Sequence, residues 1–275
     1  MKNRKTKEKT AVQKTGWLIY NQEGAKRNAW FIERLQAEMQ KNGVSLRLVI
    51  ADIPAQLPLG MPDFAIVRAM NADINAEMQK RGVRTVNNTQ TALIAGDKWQ
   101  TYLLCKQLEI PVLHTVLASE KQVESFVYPC VVKSRFGHGG SQVFWAENAE
   151  KAWQIVKENP ENYILQTPCD CLGQDTRVYA VGDKMIACIK RTSSSDFRSN
   201  FSLGGKAEVV DITDEQQRIV ERLQAHLGFD FIGVDFMPHA GGIVLNEMED
   251  AAGTRMLYAN GIDIVPIYVK QALKK

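Results

Sequence analysis

The sequence predicts a mixed fold: an α/β domain built on a small parallel sheet, followed by α+β structure rich in hairpins. Up to about residue 90, short apolar strands alternate with helical stretches, which is the pattern of βαβ units. Later strands come in neighbouring pairs joined by short glycine-containing turns, as at Gly182-Asp183. The first part of the chain therefore predicts a parallel sheet, and the later part predicts paired strands.

The N-terminal domain is expected over residues 15–90. Its first helix begins after Gly24, carries apolar residues at three- and four-residue steps and ends at Gly43. No G-x-G-x-x-G run is present, so nothing marks this domain as a dinucleotide site. The apolar positions of that helix are Trp30, Phe31, Leu35 and Met39; the predicted strands are Trp17–Tyr20, Leu46–Ile50, Phe64–Val67 and Val83–Val86, with a second helix over 73–81.

Two further units are expected over residues 91–168 and 169–275. In the first, a helix over 91–109 contains Asp97-Lys98 and is stopped by Pro111. The remaining predicted elements are a strand over 112–117, helices over 119–126 and 149–158, strands Tyr128–Lys133 and Tyr163–Gln166, the hairpin strands Asp175–Val181 and Lys184–Arg191, a helix over 214–227 capped by Gly228, and a closing helix after Pro266.

The composition is that of an ordinary globular protein, with 45% hydrophobic and 24% charged residues in a chain of 275. No run of about 18 apolar residues indicates a membrane span, and no apolar segment follows the first charges as in a signal peptide. The five cysteines are odd in number and mostly lie in apolar runs, which favours reduced thiols. We therefore expect a cytoplasmic protein.

Residues 1–14 form a basic tail that we expect to be disordered. The tail holds six Lys or Arg against one Glu, a local +5, so the total of +3 leaves the rest of the chain at −2 (3 − 5). A basic tail is able to touch nucleic acid or anionic lipid, but this one has no interleaved aromatic residues for base stacking. We expect neither nucleic acid nor a membrane as a partner.

Carboxylates lie on both strands of a predicted hairpin near the C-terminus. Asp235 ends an apolar run, and Glu247 and Glu249 follow the turn at 239–242. The two glutamates are two residues apart, so on a strand they point to the same face. Like charges repel strongly in a low-dielectric site, and a hard oxygen cluster suits Mg²⁺ better than zinc. The hairpin predicts a metal site, with a solvated hairpin of exposed acids as the alternative.

A buried strand ending in Lys133 runs directly into a loop that contains Gly137, Gly139 and Gly140. Flexible glycines after a strand let backbone N–H groups close over phosphates. The lysine precedes the glycines, so the Walker pattern is absent. The arrangement is typical of nucleotide handling, and an ordinary hairpin turn is the alternative for the loop taken alone.

Three arginines, Arg177, Arg191 and Arg198, follow on strands and on an Arg-rich loop. Their planar donors suit phosphate or carboxylate, although each one alone is more typical of a solvated side chain. Together with Lys98, Lys133 and the hairpin carboxylates, they can neutralise a triphosphate and hold Mg²⁺, as phosphoryl transfer requires.

In the order and spacing of these motifs, residues 90–270 resemble the ATP-grasp superfamily, and within it the RimK-type amino-acid ligases. The resemblance implies an ATP-grasp fold in which a central lobe over 91–168 and a C-terminal lobe over 169–275 grip ATP, behind a pre-ATP-grasp domain over 15–90. The motifs that carry it are Asp97-Lys98, Pro129–Lys133 with its glycine loop, Asp175–Arg177, Asp196–Asn200 with Gly204-Gly205, Gly233–Asp235 and Glu247–Glu249.

The resemblance also implies residue roles. Arg177 would meet an acyl phosphate, Arg191 and Asn200 would contact the transferred phosphate and metal, and Arg198 is a further catalytic candidate. Two Mg²⁺ ions, or Mn²⁺ in their place, would be held by Asp235, Glu247 and Glu249. The candidates for binding ATP are Lys98, Lys133, Gly137, Gly139, Gly140, Gln166, Asp175 and Asn200.

Two positions depart from the family pattern. Glu249 stands where the metal strand usually ends in Asn, which adds a negative charge to the site. Gln166-Thr167 stands where the adenine hinge usually shows Gln-Glu, and backbone atoms can hold adenine there.

These features imply an ATP-dependent ligase that joins a carboxylate to an amine through an acyl phosphate and releases ADP and phosphate. No Ser-His-Asp or Cys-His arrangement competes with that mechanism. The substrates are expected to be small molecules or a peptide, in the latter case with the basic tail as a docking element, and a homo-oligomer is expected by analogy. The alternative is a nucleotide-binding regulatory or interaction module without ligase activity.

Overall fold

Three four- or five-stranded sheets organise the computed structural model, which describes residues 14–137, 139–140, 142–193, 196–199 and 206–274. The first sheet is parallel, with strand order β2-β1-β3-β4, as the alternation of strands and helices predicts. Its strands are β1 (Lys14–Tyr20), β2 (Val44–Ile50), β3 (Phe64–Val67) and β4 (Arg84–Val86). Residues 1–13 of the predicted tail over 1–14 lie outside the described residues, and Lys14 is the first residue of β1.

Three helices connect these strands: α1 (Gln22–Arg27), α2 (Ala29–Lys41) and α3 (Ala72–Lys80). The prediction that a single helix begins after Gly24 is wrong, because Gly24 lies inside α1 and Asn28 separates the two helices. The Asn21 side chain caps α1 by accepting a hydrogen bond from the Gly24 N–H at 2.6 Å. Phe31, Leu35 and Met39 are buried as predicted, whereas Trp30 is 53% exposed.

The predicted helix over 91–109 is two helices, α4 (Thr89–Ala95) and α5 (Lys98–Gln107). Asp97 separates them because its backbone is extended and its side chain accepts a hydrogen bond from the Trp99 N–H, which makes it the N-cap of α5. Lys98 is therefore the first residue of a helix and lies beside the glycine loop. A 3-10 helix at Pro54–Gln56 lies between β2 and β3.

The second sheet is antiparallel, with order β5-β8-β6-β7, and it carries Lys133 near the end of β6. Two helices cover it, and their apolar residues form a separate core with Val132 and Leu165. The elements are β5 (Thr115–Leu117), α6 (Glu120–Ser125), β6 (Cys130–Ser134), β7 (Val143–Ala146), α7 (Ala149–Val156), the 3-10 helix Pro160–Asn162 and β8 (Tyr163–Gln166).

The third sheet is also antiparallel, with order β11-β10-β9-β12-β13, and it presents the arginines and the carboxylates on adjacent strands. Its elements are β9 (Gln174–Val181), β10 (Lys184–Thr192), β11 (Lys206–Val210), α8 (Asp214–Leu227), β12 (Phe231–His239), β13 (Gly242–Glu249), α9 (Arg255–Ala259) and α10 (Val265–Ala272). As predicted, α8 ends at Gly228, which adopts the left-handed conformation.

The first and third sheets share one hydrophobic core. Leu18, Phe31 and Ile66 of the N-terminal part pack in the same cluster as Phe231 and Tyr268 of the C-terminal part. The α/β and α+β parts of the chain are therefore joined by packing as well as by the backbone. In the part of the chain that the structure describes, no helix combines the length and apolar character needed to cross a membrane.

Candidate active site

The hairpin of β12 and β13 brings the three predicted metal ligands together. Asp235 pairs with Glu247 across the strands, and ligand oxygens of Asp235, Glu247 and Glu249 all lie within 4.8 Å of one another. A β-bulge follows: Phe236 pairs with Leu245, so Asn246 has no partner residue on β12. The clustering of carboxylates that the hairpin spacing predicts is therefore present, and a β-bulge lies beside it.

Two arginines on β9 and β10 neutralise these carboxylates. Arg177 donates to both oxygens of Asp235, at 2.6 and 2.7 Å, and to both oxygens of Glu249, also at 2.6 and 2.7 Å. Arg191 donates to Asp235 at 2.7 Å and pairs with Asp175. Burial opposes ionisation of Asp235, but the two guanidinium groups lower its pKa to about 2. Asp235 is therefore an anion at neutral pH.

Two lysines approach the same cluster from the central sheet. Lys98 forms an ion pair with Glu247 at 2.9 Å and donates to the Gly137 carbonyl in the glycine loop. Lys133 donates to Asn246 Oδ1 at 2.7 Å, so the bulge residue links the two lobes. Burial lowers the pKa of Lys133 to about 8, because the charged amine loses its hydration. Both lysines stand where they can contact a phosphate chain.

A narrow cavity of about 80 Å³ lies between the central and C-terminal sheets. Arg198 lies on its wall and joins the two lobes by donating to the Gly140 carbonyl at 2.8 Å, while pairing with its own neighbour Asp196. Gln166 is buried there, with Nε2 donating to Thr115 Oγ1 at 3.0 Å. The predicted site residues that line this cavity are Lys98, Lys133, Gly137, Gly140, Gln166, Asp175, Arg191, Arg198, Asp235 and Glu247.

A second, wider cavity of about 440 Å³ lies on the other side of the carboxylates, against the N-terminal domain. It is lined by Gly139, Arg177 and Glu249 among the predicted residues, and Arg191 lines both cavities. The predicted set thus divides into two groups that meet at Arg191. Asn200, the remaining predicted residue, lies outside the described residues.

Asn246 is the residue that sequence reasoning misses. It directly precedes Glu247 and is the polar member of an otherwise apolar run, which is a signal that could have pointed to it. The bulge that directs it toward Lys133 depends on strand pairing, so the contact itself is not readable from the sequence.

The donor set fits a hard divalent cation. Three carboxylates with clustered oxygens, two of them carried on one strand, match the preference of Mg²⁺ for oxygen ligands in a site shared with phosphates. Arg177 and Arg191 already offset part of the negative charge, which allows the third carboxylate, Glu249, to lie in the cluster.

Comparison with solved structures shows the same overall architecture. The chain aligns with a RimK domain ATP-grasp protein from Sphaerobacter thermophilus DSM 20745 with a TM-score of 0.72 at 20% identity, covering 94% of this chain and all 100% of that one. It aligns with a D-alanine–D-alanine ligase from Bacillus anthracis complexed with ATP with a TM-score of 0.71 at 12% identity, covering 96% and 98% of the two chains. The predicted ATP-grasp fold is confirmed.

Fold and family together define the class of protein, an ATP-grasp enzyme that ligates a carboxylate to an amine with ATP, as predicted. The model of the RimK-like ATP-grasp domain matches residues 95–270, and the chain belongs to that family. Among relatives, "Uncharacterized protein MG011 homolog" of Mycoplasma pneumoniae (strain ATCC 29342 / M129 / Subtype 1) is 28% identical over 87% of this chain and 85% of its own. "Probable alpha-L-glutamate ligase" of Haemophilus influenzae (strain ATCC 51907 / DSM 11121 / KW20 / Rd) is 27% identical over 82% and 77%.

Proposed function

We propose that ATP lies in the narrow cavity with its γ-phosphate toward Arg191, and that the substrate carboxylate lies in the wide cavity on the other side. The observation that supports this is the position of the charged cluster between the cavities: Arg191 lines both of them, whereas the carboxylates are divided between the two linings. A phosphoryl group that passes from one cavity to the other must pass this cluster. The narrow cavity, with its lysines, suits phosphates, and the wide one suits a substrate.

Residue roles follow from this placement. Lys98 and Lys133 bind the phosphates, and the glycines of the loop at 137–140 cover them. Asp235, Glu247 and Glu249 hold Mg²⁺, which neutralises charge on the transferred phosphoryl group when it is bound. Arg177 and Arg191 orient the substrate carboxylate and the acyl phosphate, while Arg198 holds the glycine loop against the C-terminal lobe. The substrate-side domain is residues 15–90, the central lobe is residues 91–168, and the C-terminal lobe is residues 169–275.

The chemistry has two steps. A carboxylate oxygen attacks the γ-phosphorus, the bond to the β–γ bridging oxygen breaks, and ADP leaves. The amine nitrogen then attacks the acyl carbon, and phosphate leaves with the proton that the nitrogen gives up. The protein supplies position and charge, and no side chain becomes covalently attached. The relatives named as glutamate ligases support an α-amino acid as one of the substrates.

The test is the fate of a labelled carboxylate oxygen. A panel of ¹⁸O-carboxylates and amines is incubated with Mg-ATP, and phosphate and amide product are analysed by mass spectrometry. Substrate-dependent ADP release with one ¹⁸O atom in the released phosphate is expected, because the acyl phosphate passes that atom on. ADP release without label in phosphate contradicts the acyl-phosphate route. ATP binding without turnover of any amino acid, carboxylate or peptide in the panel favours the regulatory module.

Variants connect the activity to the site. Lys133→Met is expected to lower kcat/KM by about 10²- to 10³-fold, as for loss of a preorganised charge contact in a buried site. Lys106→Met, on the exposed face of α5, is the matched control and is expected to retain wild-type activity. Equal losses in both variants would contradict the role of Lys133.

A further inference from the structure

The lining of the wide cavity carries more positively charged than negatively charged side chains. Five arginines line it, against the two carboxylates Glu249 and Asp250; the arginines are Arg27, Arg68, Arg177, Arg191 and Arg255. Arg177 and Arg191 belong to the carboxylate cluster already described. The other three come from α1, from the end of β3 and from the start of α9, and they have no part in the proposed phosphoryl transfer.

Arg27 and Arg255 are exposed and have no carboxylate within ion-pair distance among the residues that the structure describes. Two partly exposed arginines elsewhere on the protein are neutralised by carboxylates: Arg34 pairs with Asp263, and Arg84 pairs with Asp230 at 2.7 Å. Two guanidinium groups thus border the cavity from opposite domains with their donors available to a ligand. Paired guanidinium donors of this kind suit carboxylate or phosphate.

Arg68 adds positive potential from within the wall. It is 4% exposed, donates from Nε to the Tyr20 hydroxyl at 2.7 Å, and donates from Nη2 to the carbonyls of Ala251 and Ala252. Its contacts are neutral oxygens and rings, so its charge is not cancelled by a hydrogen-bonded carboxylate within the described part of the chain. Asp250 is the nearby acid: burial raises its pKa to about 6, and the positive charge of Arg68 opposes that rise.

The carboxylate of Glu249 does not offset the positive charge of Arg27, Arg68 and Arg255. Both oxygens of Glu249 accept hydrogen bonds from Arg177, which uses Glu249 within the reaction centre. The far side of the cavity, formed by α1 and the start of α9, therefore keeps a net positive charge. An anionic group held there is separated from Arg177 and Arg191 by the width of the cavity.

We propose that Arg27 and Arg255 form an anion subsite that determines substrate specificity, so that the preferred carboxylate substrate carries a second anionic group remote from the reacting one. This inference rests on the proposed function, because it takes the wide cavity as the substrate site. Arg68 is a positioning residue: it holds the wall of the subsite through Ala251 and Ala252. The subsite joins the N-terminal domain to α9 through the bound substrate.

Binding measured by calorimetry, with Mg²⁺ and a non-hydrolysable ATP analogue present, tests the subsite with matched ligands. Glutarate has two carboxylates, its monoamide glutaramate has one, and 4-phosphonobutyrate replaces the remote carboxylate of glutarate by a phosphonate. We expect glutarate to bind at least about tenfold more tightly than glutaramate, the ratio that one net charged contact produces. A tighter complex with 4-phosphonobutyrate than with glutarate also supports the subsite and identifies a phosphate-bearing substrate.

The double variant Arg27→Gln, Arg255→Gln is expected to bind glutarate and glutaramate equally, with its affinity for glutaramate unchanged. Lys26→Gln, which removes a charge from the adjacent position of α1, where Lys26 pairs with Glu23, is expected to keep the wild-type ratio. Equal wild-type affinities for the two ligands, or a ratio lost equally in Lys26→Gln, would overturn the inference. If the ATP analogue itself fails to bind, the proposed function fails; if it binds and no preference appears, only the subsite fails.

Discussion

At the scale of single residues, burial and pairing decide which charges exist in the site. Lys133 is 8% exposed and its pKa is lowered to about 8, whereas Asp235, which is 3% exposed, is held ionised by two arginines. The carboxylates and lysines could be predicted because their spacing and apolar surroundings are visible in the sequence. The pairing of Arg177 with both Asp235 and Glu249 could not, since it depends on which strands become neighbours.

Lys133 should make nucleotide binding sensitive to alkaline pH. Because the amine loses its proton as pH rises through about 8, the affinity for ATP is expected to fall about tenfold per pH unit above that value. The stability of the fold changes in the opposite direction. Burial of the charged amine destabilises the folded protein fully below pH 8, and this destabilisation disappears toward pH 10.5, where the unfolded chain also loses the proton. Calorimetric titrations between pH 7 and about 9.5 measure the effect.

The matched variant is Lys133→Arg, whose guanidinium stays protonated throughout this range. Its affinity for ATP is expected to be flat with pH over the range in which the wild-type affinity falls. Wild-type binding that does not change up to about pH 9.5 would contradict a charge role for this amine.

At the scale of elements, turns and caps explain where the predicted boundaries hold and where they fail. Strand Tyr163–Gln166 and helix Asp214–Leu227 match because turn residues and apolar periods mark both ends. The prediction of one helix over 91–109 is wrong because an Asp within an apolar period is recognised as an N-cap only when its backbone is known to be extended. The segment before β9 is fixed by Gly173, whose N–H donates to the Phe197 carbonyl and whose carbonyl accepts from the Ser193 N–H.

Gly173→Ala should lower stability by more than the strain of its backbone conformation alone, and should also disturb the narrow cavity. Gly173 has a φ of +70°, and an added Cβ would lie 2.7 Å from the Ser193 carbonyl oxygen and 2.8 Å from that of Asp196. Gly43 has a φ of +72° with no atom within 4 Å, so Gly43→Ala isolates the conformational cost of about 1 kcal/mol. The expected result is a larger loss of stability in Gly173→Ala, with weaker ATP binding in that variant alone.

Urea unfolding and calorimetry measure the two quantities for both glycine variants. Equal free energies of unfolding, together with unchanged ATP affinity, would show that the loop before β9 accommodates the methyl group and does not shape the cavity.

At the scale of the whole molecule, the N-terminal domain and the C-terminal lobe behave as one packed unit. Their shared core is supplemented by Asn87, which is 2% exposed and accepts hydrogen bonds from the N–H groups of Asp230 and Phe231 at 2.6 and 2.8 Å. Its amide donates to the Phe231 carbonyl at 2.6 Å. Composition and strand order indicate separate domains, but neither of these observations identifies the residues that join the domains.

Asn87→Ala is expected to lower the free energy of unfolding by about 3 kcal/mol, because it leaves buried backbone N–H groups without an acceptor. Asn260→Ala, which removes one local bond to the Met256 carbonyl, is the control and is expected to cost about 1 kcal/mol or less. Urea unfolding followed by circular dichroism and tryptophan fluorescence should give coincident single transitions for the wild type. Separate transitions, or equal losses in the two variants, would contradict a joined unit.

Because of the β-bulge beside Asp235, the β12–β13 hairpin should tolerate a change in the length of β13 less well than a change of a single side chain. Insertions at the Ala240-Gly241 tip lengthen an exposed turn and leave the pairing of Asp235 with Glu247 unchanged. A one-residue deletion between Gly242 and Glu247 either removes the bulge, and with it the contact of Asn246 to Lys133, or inverts the faces of β13. Homologous chains should therefore vary in length at the tip and keep a constant number of residues along the second strand.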